Sequence, residues 1–196
     1  MQVRTDSANG KPVGSPADTI KAFEVQTQTC KDLWAEQLQG TPDCFADIEQ
    51  QIDQHYRKGA GLLVASILAE VTEQPSMQQH VQRIRSQAAI PLKSPESRPL
   101  KVRLLCGLVL WISTAYCAPR RGKAVERTEQ LVGLYPELAA LGMGKGCSPA
   151  LQYRVARLVA LSPSIDAARK ELRREGIVLD EKTVRRIAEQ LGYQLL

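Results

Sequence analysis

Apolar residues recur at three- and four-residue spacing over most of this chain, with one central interruption of a different period. From about Asp18 to Leu38 the positions Ile20, Phe23, Cys30, Leu33, Trp34 and Leu38 fit one face of an amphipathic helix that stops near Gly40. A second helix is punctuated by Thr41 as an expected N-cap, Pro42 at its first position, and Asp43 and Asp47 near its positive end. It continues through Ile48, Ile52, Tyr56, Leu63 and Ile67 to about Val71. Gly59-Ala60-Gly61 lies inside it, and each glycine costs a helix roughly 1 kcal/mol, so a neighbour is expected to pack closely there. Pro75-Ser76 opens a third, more polar helix over 76–88.

The period then changes. Residues 89–99 hold three prolines and read as a linker. Leu100 to Cys106 and Leu108 to Tyr116 read as two short β-strands joined by a tight turn at Cys106-Gly107, although so apolar a run also suits a buried helix. Pro119-Arg120-Arg121-Gly122-Lys123 follows as a basic loop, then short helices over Val125–Leu134 and Pro136–Leu141 and a connector over 142–147.

The last fifty residues carry the clearest local signals. Ser148-Pro149 begins a helix with Leu151, Val155, Leu158, Val159 and Tyr153 as candidate inward positions, and Ser162-Pro163 stops it. Ser164 caps a second helix with Ile165, Ala168 and Leu172 inward, ended by Gly176. Asp180 caps a third, in which Val184, Ile187, Ala188 and Leu191 form one buried stripe. The opposite side carries Lys182, Thr183, Arg185, Arg186 and Gln190, donors of the kind that reach guanine edges and phosphates in a major groove. A three-helix packing unit with a solvated charged face has the same pattern.

The predicted fold is mainly α, with N-terminal helices, a short β-hairpin and a C-terminal three-helix helix-turn-helix domain. Its expected divisions are a disordered leader (1–16), a helical region (17–88), the linker (89–99), the hairpin (100–118), the basic loop with short helices (119–147) and the helix-turn-helix (148–196).

Charge supports a polyanionic partner. The net charge of +5 is unevenly spread: residues 98–196 hold 17 Lys and Arg against 9 Asp and Glu, residues 1–97 hold 9 against 12. Arg120, Arg121 and Lys123 are therefore candidate phosphate contacts, and Arg169, Arg173 and Arg174 secondary ones. Five cysteines without short spacing read as reduced thiols, and the polar leader and lack of a long apolar run point to a cytoplasmic protein. Cys106 and Cys117 form at most half a zinc site, so no metal is assigned; no phosphate loop or nucleophile–base pair implies a cofactor or a catalytic residue.

The order of Leu134-Tyr135-Pro136, Leu141-Gly142, Ser148-Pro149-Ala150, Val155-Ala156-Arg157-Leu158 and Lys182-Thr183-Val184-Arg185-Arg186-Ile187 resembles the region before the catalytic domain of ISKra-type insertion-sequence transposases. Pro99 to Leu105 and Gly107-Leu108 are similar to that family's β-hairpin. The resemblance spans roughly residues 40–192, strongest at the C-terminal end. It implies binding of double-stranded DNA at the terminal repeats of an element. The acids of an RNase H-like catalytic domain are not found before Leu196, so this chain is expected to bind DNA without cutting it. A free-standing transcriptional regulator with the same helix-turn-helix, or a helical interaction module, are the alternatives. The N-terminal helices suit either a homodimer contact or a monomeric core.

Overall fold

A computed structural model of the chain describes residues 2–6, 12–13, 16–88, 91–120, 133–144 and 146–194. The protein is mainly helical. Two strands, β1 (Gln2–Asp6) and β2 (Pro12–Val13), precede three helices, α1 (Pro16–Gly40), α2 (Phe45–Glu73) and α3 (Pro75–Ser86). The hairpin strands β3 (Glu96–Arg103) and β4 (Val109–Tyr116) follow, then α4 (Pro136–Ala140), α5 (Pro149–Leu161), α6 (Ile165–Arg174) and α7 (Glu181–Gln194).

Helices α1 and α2 pack side by side as an antiparallel pair around His55. Its ring stacks on Phe23 at 4.4 Å, meets Trp34 edge-on at 5.7 Å, and shares a 2.7 Å hydrogen bond between Nε2 and the Thr27 hydroxyl. The two interior glycines of α2 have the close neighbours expected of them. A Cβ on Gly59 would lie 2.4 Å from the Phe23 ring, and one on Gly61 would lie 2.7 Å from Cys106 Sγ and from Leu108. The helix accepts the propensity cost because α1 approaches on one side and the hairpin turn on the other.

The sheet is antiparallel in the order β2-β1-β4-β3. Alternate residues of β3 and β4 point into a core made by Val3, Ala65, Leu68, Val102, Leu104, Leu110, Ile112 and Leu138. Helix α2 therefore shares one core with the hairpin. Helix α4 is held to β4 by Glu137, whose carboxylate accepts from the Thr114 hydroxyl and from the Ala115 N–H at 2.8 Å. A second core, of Leu151, Val155, Leu172, Ile177, Leu179, Val184 and Ile187 with Cys147, is enclosed by α5, α6 and α7.

Several expectations are corrected. The supposed disordered leader contains β1, which pairs with β4 from Gln2↔Ser113 to Thr5↔Leu110 and places Val3 in the core. Its reason is tertiary: β4 is buried and needs partners for the backbone groups on both edges. The supposed linker contributes the first residues of β3, where Pro99 is tolerated because β3 is the sheet's edge. Leu104 to Leu108 form the turn, closed by Leu104 N–H to Leu108 O at 2.9 Å. Thr41 makes no side-chain cap; a short 3-10 turn at Pro42–Cys44 leads into α2 instead. Tyr153 is exposed and not inward. Most of the helix expected over Val125–Leu134 lies outside the described residues; Leu134, which is described, bridges Cys117.

Gly107 has φ +86°, and an added Cβ would lie 2.7 Å from the backbone oxygen of Gly176. Gly107→Ala is therefore expected to lower the unfolding free energy by about 2 kcal/mol in urea titrations. Gly40→Ala, with no atom within 4 Å of the new carbon, should stay within about 0.5 kcal/mol of the parent.

Candidate nucleic-acid interface

The three C-terminal helices start where short-range signals place them. Ser148 Oγ accepts from Leu151 N–H at 3.4 Å, Ser164 Oγ from Ala167 N–H at 3.1 Å, and Asp180 Oδ1 from Thr183 N–H at 2.8 Å. Gly176, at φ +77°, ends α6, and residues 175–180 connect it to α7. Arg154 of α5 forms a two-pronged ion pair with Glu175 at the end of α6, which fixes the crossing of those helices.

In α7, Val184 and Ile187 are buried and Ala188 and Leu191 half-buried, so the opposite face is open to solvent. Lys182, Arg186 and Gln190 stand on it in one exposed row at i, i+4 and i+8. Lys182 and Arg186 form no ion pair with the described residues. The other two expected contacts are engaged within the helix. Thr183 donates its hydroxyl to Asp180 at 2.7 Å, and Arg185 pairs with Glu181 at 2.8 Å. Glu181 and Glu189 are also exposed, so acids alternate with the cations of this face.

Of the secondary cations, Arg169 is turned inward, donating to Leu179 O at 3.4 Å and lying 3.6 Å from Asp166. Arg174 pairs with Glu171 at 2.9 Å, and Arg173 borders a charged cleft between α2 and α6. Arg120 is exposed, with its backbone N–H bonded to Pro91 O at 2.7 Å. Arg121 and Lys123 lie outside the described residues. Arg120 follows the far end of β4, about 25 Å of strand from Val109, and it is Val109 that borders α7. The loop arginine and α7 are not brought together.

Two other cations are. A cleft of about 280 Å³ between the hairpin and the start of α7 is bounded by Lys101, Arg103, Asp180 and Thr183. Lys101 Nζ lies over the Trp111 ring at 4.5 Å, its directly paired residue on β4. Alternation of Lys101 and Arg103 around buried Val102 was visible in the sequence; their nearness to α7 was not, because it depends on contacts across more than forty residues.

The thiols do not converge. Cys106 sits in the hairpin turn and Cys117 just past the other end of β4, so the hairpin separates them instead of facing them. All five cysteines are unpaired, and among the described residues no three His, Cys, Asp or Glu side chains group as metal ligands. Burial pushes the Cys147 thiol up to about 11, which makes it a poor nucleophile at neutral pH. Among the described residues no helix is long and apolar enough to cross a membrane.

The hydroxyl and N–H of Thr183 hold the Asp180 carboxyl below the ordinary aspartate range. A depressed folded-state pKa stabilises the fold above the unfolded value, and the effect is lost as pH falls through the folded one. Asp180→Ala should therefore melt below the parent at pH 7, and the gap should close as thermal scans descend from about pH 5 to about pH 2.5. An unchanged gap would remove the cap from the account.

No family model, curated protein or solved structure matches the chain.

Proposed function

We propose that this protein binds double-stranded DNA, with α7 as the recognition helix, and that it is the DNA-binding part of an insertion-sequence transposase of the ISKra type, directed to its element's terminal repeats. The observation that carries the reading is the exposed row Lys182, Arg186 and Gln190 on a helix whose other side is locked by Val184 and Ile187. Two cations and an amide at one-turn intervals suit guanine and adenine edges, and the surrounding cations suit phosphates. Lys101 and Arg103, beside the N-terminal end of α7, extend that surface onto the sheet. Self-association through the N-terminal helices would bring two such units to one DNA end or one symmetric site. No catalytic step is assigned to any residue.

A second reading rests on Glu181 and Glu189, which offset the cations of the same face. It makes the C-terminal unit a protein-interaction module whose exposed helix meets a mixed-charge partner.

Fluorescence anisotropy separates the two. The probes are the inverted repeats flanking the gene and a scrambled duplex of equal length, titrated across a salt series. The parent should prefer the repeats. The Lys182→Ala/Arg186→Ala double variant should bind both probes alike, with a salt slope little changed from the parent's, and Lys101→Ala should weaken both equally with the slope reduced by about 1. Unaltered binding by a double variant that keeps its helical content would move the contact surface elsewhere, and absence of binding by the parent would favour the interaction module.

A further inference from the structure

Helix α2 has an apolar face that neither α1 nor the sheet covers. Phe45, Ile52, Tyr56, Leu63 and Ile67 are exposed by 58, 36, 57, 56 and 49%. With Glu49 and Ala60 they step by four, three, four, four, three and four residues, an eleven-residue repeat. Such a repeat stays on one side of a nearly straight helix, here for about 33 Å. The contacts with α1 run along a different row, through Gln51, His55 and Gly59. The core contacts run through Gly61, Ala65 and Leu68.

We infer that this stripe is the surface on which two copies of the chain pair, α2 against α2 in antiparallel register about Tyr56. The inference rests on the self-association just proposed and names its location. Three observations choose a second copy as the occupant. A two-fold axis at Tyr56 sets Phe45 against Ile67 and Ile52 against the small Ala60, so these apolar positions complement one another in size, and it sets Glu49, the one charged position of the stripe, against Leu63. About half of each of the five large side chains is exposed, on the order of 100 Å² apiece. With the exposed part of neighbouring Val64, pairing can remove at most on the order of 1,200 Å² over both copies, the lower end of stable interfaces. Charge argues against the other surfaces a cell offers. Asp47, Glu49, Asp53, Glu70 and Glu73 outnumber Arg57 and Lys58 on α2, whereas helices that lie on membranes or nucleic acids carry a basic polar face.

The test is sedimentation velocity on the full chain without DNA, over a concentration series. The parent should sediment as a dimer, and Leu63→Glu/Ile67→Glu, which adds charge only at exposed positions, should weaken the dimer by at least about 100-fold. A second variant guards against misfolding. Under mild oxidation Tyr56→Cys should form a covalent dimer, and Tyr153→Cys, exposed on α5, should crosslink no more than the parent. A monomeric parent overturns self-association itself. A dimer that survives the double charge change, or equal crosslinking of the two cysteine variants, leaves self-association standing and overturns this surface.

Discussion

The placement of the C-terminal helices depends on a short backbone pairing at Arg103. Its N–H donates to Gly146 O at 2.8 Å, and its carbonyl accepts from Ser148 N–H at 2.9 Å. The last residue of β3 is thereby bracketed by the segment that caps α5. Leu104, the next residue, belongs to the sheet's core, and Cys147, within the bracket, belongs to the helical core. The two apolar clusters thus meet across paired peptide groups of which Ser148 is buried, Arg103 half-buried and Gly146 exposed. Gly107 against Gly176 O, and Arg57 Nη1 donating to Glu175 O at 3.2 Å, add contacts from the turn and from α2. Helix α7 packs on α5 and α6, and α5 is tied to the sheet through its cap segment.

This constraint divides the molecule into parts of unequal firmness. The C-terminal core encloses Leu151, Val155, Leu172, Ile177 and Val184 completely, each at 0% exposure. By contrast, no residue of α1 among those whose burial is described is fully buried: Phe23, Thr27, Cys30, Trp34 and Leu38 are half-covered, chiefly by α2. Local stability follows the density of buried apolar contacts, so the α1–α2 layer opens before the helical core does. A second copy laid along α2 would cover the exposed apolar stripe of that helix. The surface proposed for self-association and the helical unit proposed to face DNA thus differ in how densely they are buried.

What the sequence discloses is what a few adjacent residues decide. The caps at Ser148, Ser164 and Asp180, the stop at Gly176 and the stripe of Val184, Ile187 and Leu191 are all short-range, and each is where its spacing places it. The turn at Gly107 is similarly local. Strand β1 is different: a five-residue run that brings Val3 to the core has no period of its own, and becomes a strand because β4 presents an edge. Thr41 carries the right side chain for a cap, but its backbone (φ −144°, ψ 82°) and the following 3-10 turn leave no helix N–H in reach. The site divides in the same way. The donors on α7 are legible from helical spacing, whereas Arg120 and the sheet cations at Lys101 and Arg103 could be ranked only by tertiary placement.

That ranking bears on how a nearly balanced helix face would read DNA. The Glu181–Arg185 pair is solvent-exposed on both sides, and pairs of that kind contribute about 0–1 kcal/mol, so a phosphate could displace the carboxylate at little cost. The released glutamate would still repel the backbone, which makes Arg185 a weak source of affinity. Lys182 and Arg186 carry no such opposing partner among the described residues, and Lys101 and Arg103 approach from a different element. Affinity drawn from the sheet and discrimination drawn from the Lys182–Arg186–Gln190 row would be separable quantities, because phosphate contacts add to binding on any sequence and base-edge contacts do not. In the proposed complex both would act on one duplex at once, because the pairing at Arg103 ties the segment that caps α5 to the strand that carries the sheet cations.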